Sequence, residues 1–412
     1  MKKSLLKNTI YLYLLTFSNY IFGFVTIPYL TRILGPEVFG VLGFAMAFHA
    51  YFCLILDFGF LLSGTKKVAE YADDCIELAK IVSSIIYIKV FLFVILSIIL
   101  LITCLLNHYL WANCKILFCY LLLAGVSSMM PDFLYRGLEK MEIITIRTLI
   151  IRCIFTSLIF VFLKSAAQYC LVPIFQILGT VVALMWVYND LHKNLKIHIV
   201  KVHLKYVLSL FCDSYQYFLS RIASSVYNVT NTVILGFVYS NSNIIGLYTA
   251  AEKIKLIVGQ VCAPVADSFY PYMLRTKDFS RMIKVTILLE LFIIIGCVLM
   301  WIYAEYICIT LFGQSFVTAS SILRYMLPLI AIALPTFMFG FPALSPIGYA
   351  KWANYSIEIA MLNQVIGMSF LFFFKSVNVF SICIVTFISE FISLIIRILS
   401  FYIGLKRKAL LE

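Results

Sequence analysis

Residues 81–106 read IVSSIIYIKVFLFVILSIILLITCLL. A helix that crosses the hydrocarbon of a bilayer needs about 20 predominantly apolar residues, and this run exceeds that length. Lipid supplies no hydrogen-bond partners, so a segment there must satisfy its own N–H and C=O groups, as an α-helix does. Outward from this run, comparable stretches lie at 9–30, 41–63, 114–133, 148–163, 169–189, 207–238, 246–270, 284–304, 320–341, 353–374 and 378–402. With 63% hydrophobic and 12% charged residues, the 412-residue chain has too little polar surface to coat a water-soluble core. The expectation is an all-α polytopic membrane protein with twelve spans.

The connecting segments are short, and their charge alternates. With the N-terminus in the cytoplasm, the inward segments hold 21 Lys and Arg, Arg136, Lys140 and Arg147 among them. The outward segments hold 4: Arg32, Lys115, Lys164 and Lys375. Cations gather at the cytoplasmic ends of spans, so both termini are assigned to the cytoplasm. The same segments account for the net charge of +13, because there the cations set topology and meet anionic lipid. On a soluble domain that charge would point to nucleic acid; no nucleic-acid partner is expected here.

Residues 1–7 are basic, but the run that follows is long enough to span and no A-x-A-like site ends it, so no cleavable leader is expected. The 12 Cys form no C-x-x-C pair and sit mostly inside apolar runs, which reads as small core hydrophobes. His49, His108, His192, His198 and His203 show no ligand spacing, and no H-E-x-x-H, P-loop or G-x-S-x-G motif occurs. No cofactor, metal or catalytic residue is expected.

The two halves resemble each other faintly. Ile33-Leu34-Gly35 returns as Ile234-Leu235-Gly236, and Gly40 at the start of the second span corresponds to Gly246 at the start of the eighth. Six spans per half is an even number, so both halves enter from the same side, which makes the repeat parallel. The expected division is a lobe at 1–190, a cytoplasmic linker at 191–206 and a lobe at 207–412. Six plus six in parallel is far more often a transporter's pattern than an enzyme's.

Between the first two spans, Pro28-Tyr29-Leu30-Thr31-Arg32-Ile33-Leu34-Gly35-Pro36-Glu37-Val38-Phe39-Gly40 is similar to the P-Y-L-T-R-x-L-G-P-E-x-F-G stretch of Wzx-type polysaccharide flippases. Three later segments resemble the same family. They are Asp57-Phe58-Gly59-Phe60 with Ser63-Gly64-Thr65-Lys66-Lys67, then Pro131-Asp132-Phe133-Leu134-Tyr135-Arg136-Gly137-Leu138-Glu139-Lys140-Met141, then Gly246-Leu247-Tyr248-Thr249-Ala250-Ala251-Glu252-Lys253-Ile254. Phe133, Arg136 and Gly64 depart from the family's usual Trp, Gln and Ala; Arg136 adds a cation at the cytoplasmic mouth. The resemblance implies a MATE-like protein of two six-helix lobes. It would flip undecaprenyl-diphosphate-linked oligosaccharide repeat units from the cytoplasmic to the periplasmic leaflet of a bacterial inner membrane, without a cofactor. Membrane lipids and other polysaccharide assembly proteins are its implied partners.

A diphosphate calls for cations at membrane depth, and a glycan for polar and aromatic lining. On the seventh span, Asp213, Tyr217, Arg221, Ser224, Asn228 and Asn231 follow helical spacing and share one face. That span covers roughly 48 Å at helical rise, against about 30 Å of hydrocarbon, which puts Arg221 well inside. Facing lipid there would cost a few kcal/mol, so Arg221 faces a cavity or pairs with Asp213 or another acid. Lys253 and Lys255 on the eighth span are further candidates, Lys255 having an i,i+3 pair with Glu252 as its alternative. Arg152 on the fifth span either lines the cavity or reaches to the interface. Asp57, Asp213 and Asp267 are candidates for coupling to a proton or sodium ion; the alternative is to neutralise neighbours such as Lys66 or Arg275. Pro328, Pro335 and Pro342 share one face of the tenth span and either bend it permanently or make it a gate.

Other readings stay open. One is a flippase of another lipid-linked precursor or a small-molecule exporter of the same fold, although intramembrane cations oppose cationic cargo. Another is a polysaccharide polymerase or ligase, against which stand the short outward loops, the longest about 305–319. A third is a receptor or structural protein, which would not need a mid-membrane polar stripe. The charge asymmetry makes a topological prediction. A reporter that works only in the cytoplasm, fused after Leu405, should be active, and a periplasmic reporter there should be silent; the reverse would overturn the twelve-span assignment.

Overall fold

The structure is a computed structural model. It describes residues 2–239 and 242–409, leaving out the side chains of 2–10, 12–21, 220, 223–229 and 408–409. Every regular element among the described residues is helical. The chain divides into two compact units, Met1–Ser225 and Val226–Glu412.

The first unit holds α1 (Lys2–Asp57), α2 (Phe60–Glu70), α3 (Cys75–Leu106), α4 (His108–Ala112), α5 (Cys114–Ser128), α6 (Asp132–Gly137), α7 (Met141–Phe162), α8 (Leu171–Lys193) and the first part of α9 (Leu204–Val238). The second holds the rest of α9, then α10 (Ser242–Thr276), α11 (Phe279–Ile302), α12 (Ala304–Phe312), α13 (Ala319–Ala331), α14 (Ala333–Met338), α15 (Phe341–Leu344), α16 (Ala350–Phe373) and α17 (Val379–Ala409). Among the described residues, 9 stretches are long and apolar enough to cross a membrane. α9 and α10, at 35 residues each, are long enough but carry too many polar residues to be among them.

Several expected spans are broken helices. α1 contains the first span and most of the second, and it is interrupted at Gly35, where φ is 68° and Pro36 follows. The second expected span, 41–63, breaks again where Phe58 and Gly59 adopt φ of 40° and 78°. The fourth, 114–133, stops at Ser128 and resumes at Asp132, after Pro131, whose missing N–H and ring cannot continue a helix. The tenth, 320–341, is split into α13, α14 and α15, with Pro328 inside α13, Pro335 inside α14 and Pro342 opening α15. The repeated glycines differ in role: Gly35 sits at a break, whereas Gly236 lies within α9.

The break at Gly59 has a packing reason. A Cβ built there would stand 2.8 Å from the Phe218 backbone nitrogen and 2.8 Å from Tyr217 Cβ. α9 can approach this closely only because the side chain is absent, and the left-handed φ suits glycine. Around the contact, Phe58 stacks on Phe211 and Phe218 at 4.2 and 4.4 Å. Ser63 and Ser214 hydroxyls meet at 2.7 Å. Phe60, Ile81, Ile85, Leu134 and Leu210 complete the buried cluster. In the second unit Met273, Met282, Met338 and Phe401 form the corresponding core. By contrast α11 exposes Ile287, Leu291, Phe292 and Ile295, an apolar surface suited to lipid.

Gly59→Ala should therefore cost about 2 kcal/mol or more. It is read as a lowered unfolding midpoint of the detergent-purified protein. Gly296→Ala, within α11 and with nothing within 4 Å of its added Cβ, should not lower the midpoint and should raise it slightly, alanine being the better helix former.

Candidate functional site

The first unit contains two adjoining cavities between its helices. One, of about 390 Å³, is lined by Cys53 and Asp57 of α1, Lys89 of α3, Ser127 of α5, Asp132 of α6 and Arg221 of α9. The other, of about 320 Å³, is lined by His49, Asp132, Arg147, Arg152, Gln176 and Thr180. Ser127, Met130 and Asp132 belong to both walls. Asp132 stands there because the helix breaks at Pro131, which turns α6 away from the line of α5 and leaves a polar side chain at its first turn.

Charges in this cleft are partly paired. Asp57 forms an ion pair with Arg221. Asp132 holds Arg147 through both oxygens, with Nη2 donating to Oδ2 at 3.1 Å. Such bidentate pairs fix both position and charge. Lys89, only 4% exposed, donates from Nζ to the Ser128 carbonyl at 2.6 Å and lies 5.9 Å from the Phe133 ring centroid. Among the described residues no carboxylate lies within ion-pair distance of Lys89 or of Arg152. The cleft thus carries four cations against two acids, and the surplus rests on Lys89 and Arg152. His49 Nδ1 is 3.1 Å from the Tyr120 carbonyl, so that nitrogen is the donor, and Nε2 approaches Cys53 Sγ at 3.5 Å.

The stripe expected on the seventh span divides. Arg221 enters the cleft and pairs with Asp57, not with Asp213. Asp213 instead binds Lys67 at 2.7 Å. Together with Tyr217, Lys66 and Gln216 these residues line a further cavity of about 430 Å³ between α2 and α9. Lys66 stands 4.0 Å from Glu70, so it is not the partner of Asp57. The side chains of Ser224 and Asn228 lie outside the described residues. Asn231 falls in the second unit, buried, donating to Tyr248 Oη at 3.2 Å and Thr386 Oγ1 at 3.0 Å and accepting from Gln364 at 2.9 Å.

Elsewhere in the second unit, Lys255 binds Glu390 of α17 at 3.1 Å, not Glu252. A partner on another helix displaces the i,i+3 pair because Glu252 is turned toward Thr232 at 3.4 Å. Lys253 is half-buried and Asp267 exposed. The broken tenth span is secured from α17. The Gly340 amide bonds to Phe337 instead of Thr336, and Arg397 donates to the freed Thr336 carbonyl and, at 2.8 Å, to Ser356.

Sequence reasoning missed Lys89, Arg147, Asp132 and His49 as cleft residues. Arg147 was counted among cytoplasmic cations, but it is 8% exposed and sits well along α7, which begins at Met141. The available signal was Lys89 itself, the lone charge in the run 81–106.

Residues 5–277 match the polysaccharide biosynthesis protein family. The chain is 29% identical over 289 residues to the "Putative O-antigen transporter" of Escherichia coli (strain K12), covering 70% of this chain and 69% of that protein. It is 26% identical over 285 residues to the protein of the same name from Shigella dysenteriae, covering 68% and 70%. Two solved structures share the fold. An inward-facing multidrug resistance MATE family transporter of the MOP superfamily matches with TM-score 0.70 at 14% identity, covering 96% of this chain and 95% of that one. The lipid II flippase MurJ, inward closed, matches with TM-score 0.65 at 14% identity, covering 94% and 86%. A helical chain with a charged cleft among its helices, matched over most of its length in this way, is a member of the polysaccharide biosynthesis protein family on a MATE-like fold.

Proposed function

We propose that this protein is a membrane transporter, not an enzyme, that flips lipid-linked polysaccharide repeat units of O-antigen type across a bacterial inner membrane. The cargo is an oligosaccharide on undecaprenyl diphosphate, moved from the cytoplasmic to the periplasmic leaflet by alternating access. The protein crosses the membrane twelve times in two six-helix lobes, 1–190 and 207–412, joined by the cytoplasmic linker 191–206, with both termini cytoplasmic.

The observation that carries this reading is the cationic surplus of the cleft. Unpaired positive charge at membrane depth is costly unless an anion or water compensates it. Lys89 and Arg152 supply two charges, and a diphosphate diester brings two of the opposite sign. Guanidinium binds phosphate oxygens through paired hydrogen bonds, whereas ammonium acts as a point charge. Gln176, Thr180 and Ser127 offer hydroxyl and amide groups to a glycan. The polyprenyl tail needs only lipid. The same surplus disfavours cationic small molecules as cargo. The names of the relatives from Escherichia coli and Shigella point the same way. Asp57 and Asp132 act here as neutralising partners of Arg221 and Arg147. Arg221 joins the substrate path when the diphosphate competes with Asp57 for its guanidinium.

Deleting the gene should stop surface display of one polysaccharide while lipid-linked units accumulate on the inner leaflet; normal display in a strain lacking any second flippase gene would remove this function. At the residue level, Lys89→Met should lower export about tenfold or more at normal membrane abundance. Arg221→Ala should abolish export, Arg221→Lys retain part of it, and Tyr217→Phe do less. A purely structural Arg221 would behave otherwise: Arg221→Ala would deplete folded protein, and adding Asp57→Asn would restore it. Normal export by both Lys89→Met and Arg221→Ala would place the substrate path elsewhere.

A further inference from the structure

The segment between α8 and α9 is not a free linker. It is strapped to the first unit by the Ile197 amide on the Leu191 carbonyl at 3.1 Å, the Val200 amide on Ser83 Oγ at 2.9 Å, the Tyr87 hydroxyl on the Val200 carbonyl at 3.0 Å and the Tyr206 hydroxyl on Glu77 at 3.2 Å. Ile197 is 1% exposed and acts as its peg. The chain reverses at Lys196, where φ is 54°. From 191 to 212 there is no acidic residue.

Fixed in this way, the strap turns a defined set outward. Lys193, Lys196, Lys201 and Lys205 are exposed, as are His192, His198 and His203. So are three apolar side chains, Ile199 at 52%, Leu204 at 70% and Leu208 at 53%. Depth adds an independent constraint. Ser83 and Tyr87, the anchors on α3, lie inside the apolar run 81–106, roughly 3 and 9 Å beyond its start along the helix axis. A strap tied at that level runs beside lipid headgroups and the upper acyl chains, not out in bulk water. Cations with exposed apolar side chains at that depth are the pattern of an interfacial anchor.

We infer that residues 193–208 form a preformed docking surface for anionic phospholipid headgroups of the cytoplasmic leaflet, in which the lysines hold phosphate and Ile199, Leu204 and Leu208 enter the acyl boundary. Because the strap leads into α9 beside its Gly59 contact, a bound lipid would hold the cytoplasmic end of that helix against the first unit. The cations here therefore do more than set topology during insertion: in the folded protein they bind lipid selectively. This inference is independent of the cargo.

The test uses the full chain, purified in mixed micelles containing phosphatidylglycerol and phosphatidylcholine, with retained lipid counted by native mass spectrometry. Each cation held at an anionic surface is worth roughly fivefold in binding. Lys193→Gln/Lys196→Gln/Lys201→Gln/Lys205→Gln should therefore lose retained phosphatidylglycerol by well over tenfold. The control removes four exposed inward cations from the second unit, Arg275→Gln/Lys277→Gln/Arg281→Gln/Lys284→Gln, and should retain nearly all of it. Ile199→Ser/Leu204→Ser should also lower retention, although it changes no charge. If the fourfold strap variant fails to accumulate, Lys196→Gln/Lys201→Gln replaces it, with a loss of at least tenfold expected. Equal losses in strap and control variants would reduce the effect to net charge and overturn the inference. So would unchanged retention, including the case in which the strap variant loses only an acidic protein partner in cells.

Discussion

Within the hydrocarbon a charged or hydrogen-bonding group has only the protein to turn to, and most of this structure follows from that scarcity. The carboxylates of Asp57 and Asp132 each take a guanidinium, and Lys255 takes Glu390. Asn231, Gln364 and Thr386 close a ring of hydrogen bonds, to which Asn231 also joins Tyr248; the Gln364 side-chain oxygen is left without a partner among the described residues. A group left out of such pairing is a cost the fold retains for a reason. Lys89, buried and with the Ser128 carbonyl as its one hydrogen-bond partner among the described residues, is the clearest example.

The same scarcity governs the backbone. Breaking a helix at membrane depth releases carbonyls that lipid cannot satisfy. At Gly340 the orphaned Thr336 carbonyl is claimed by Arg397, a cation from another helix that also donates to the Ser356 hydroxyl. At Phe58 and Gly59 the amides of Leu62 and Ser63 both turn to the Gly59 carbonyl, and α9 closes over the gap. Prolines mark where the fourth and tenth spans are interrupted. What makes each interruption tolerable is the side chain or neighbouring helix that completes the hydrogen bonding. A bend at Gly340 held by Arg397 is set by packing as much as by Pro335 and Pro342.

α9 shows how local pattern and tertiary setting diverge. Its polar residues share one helical face, as their spacing requires. Yet Asp213, Tyr217 and Arg221 meet α2 and α1 of the first unit, whereas Asn231 joins the amide cluster of the second. Periodicity reports which residues lie on one side of a cylinder; it carries no information about what stands opposite each turn.

From the sequence by itself came the helical class, the positions of most of the apolar helices, the charge asymmetry and the family likeness. Apolar runs and their flanking cations respond directly to the bilayer, a solvent that acts on each segment separately. Arg221, Arg152 and Asp57 stand out in the same way, as charges inside apolar runs, and all three line the two cavities of the first unit. Only the tertiary structure decided the partners. Arg221 meets Asp57 instead of Asp213, Lys255 meets Glu390 instead of Glu252, and Arg147 is drawn inside by Asp132. An ion pair depends on a few ångströms between side chains of different helices, set by how closely two backbones approach, as where Gly59 admits α9. That distance is a property of packing between segments far apart in the chain, and spacing along one segment does not encode it.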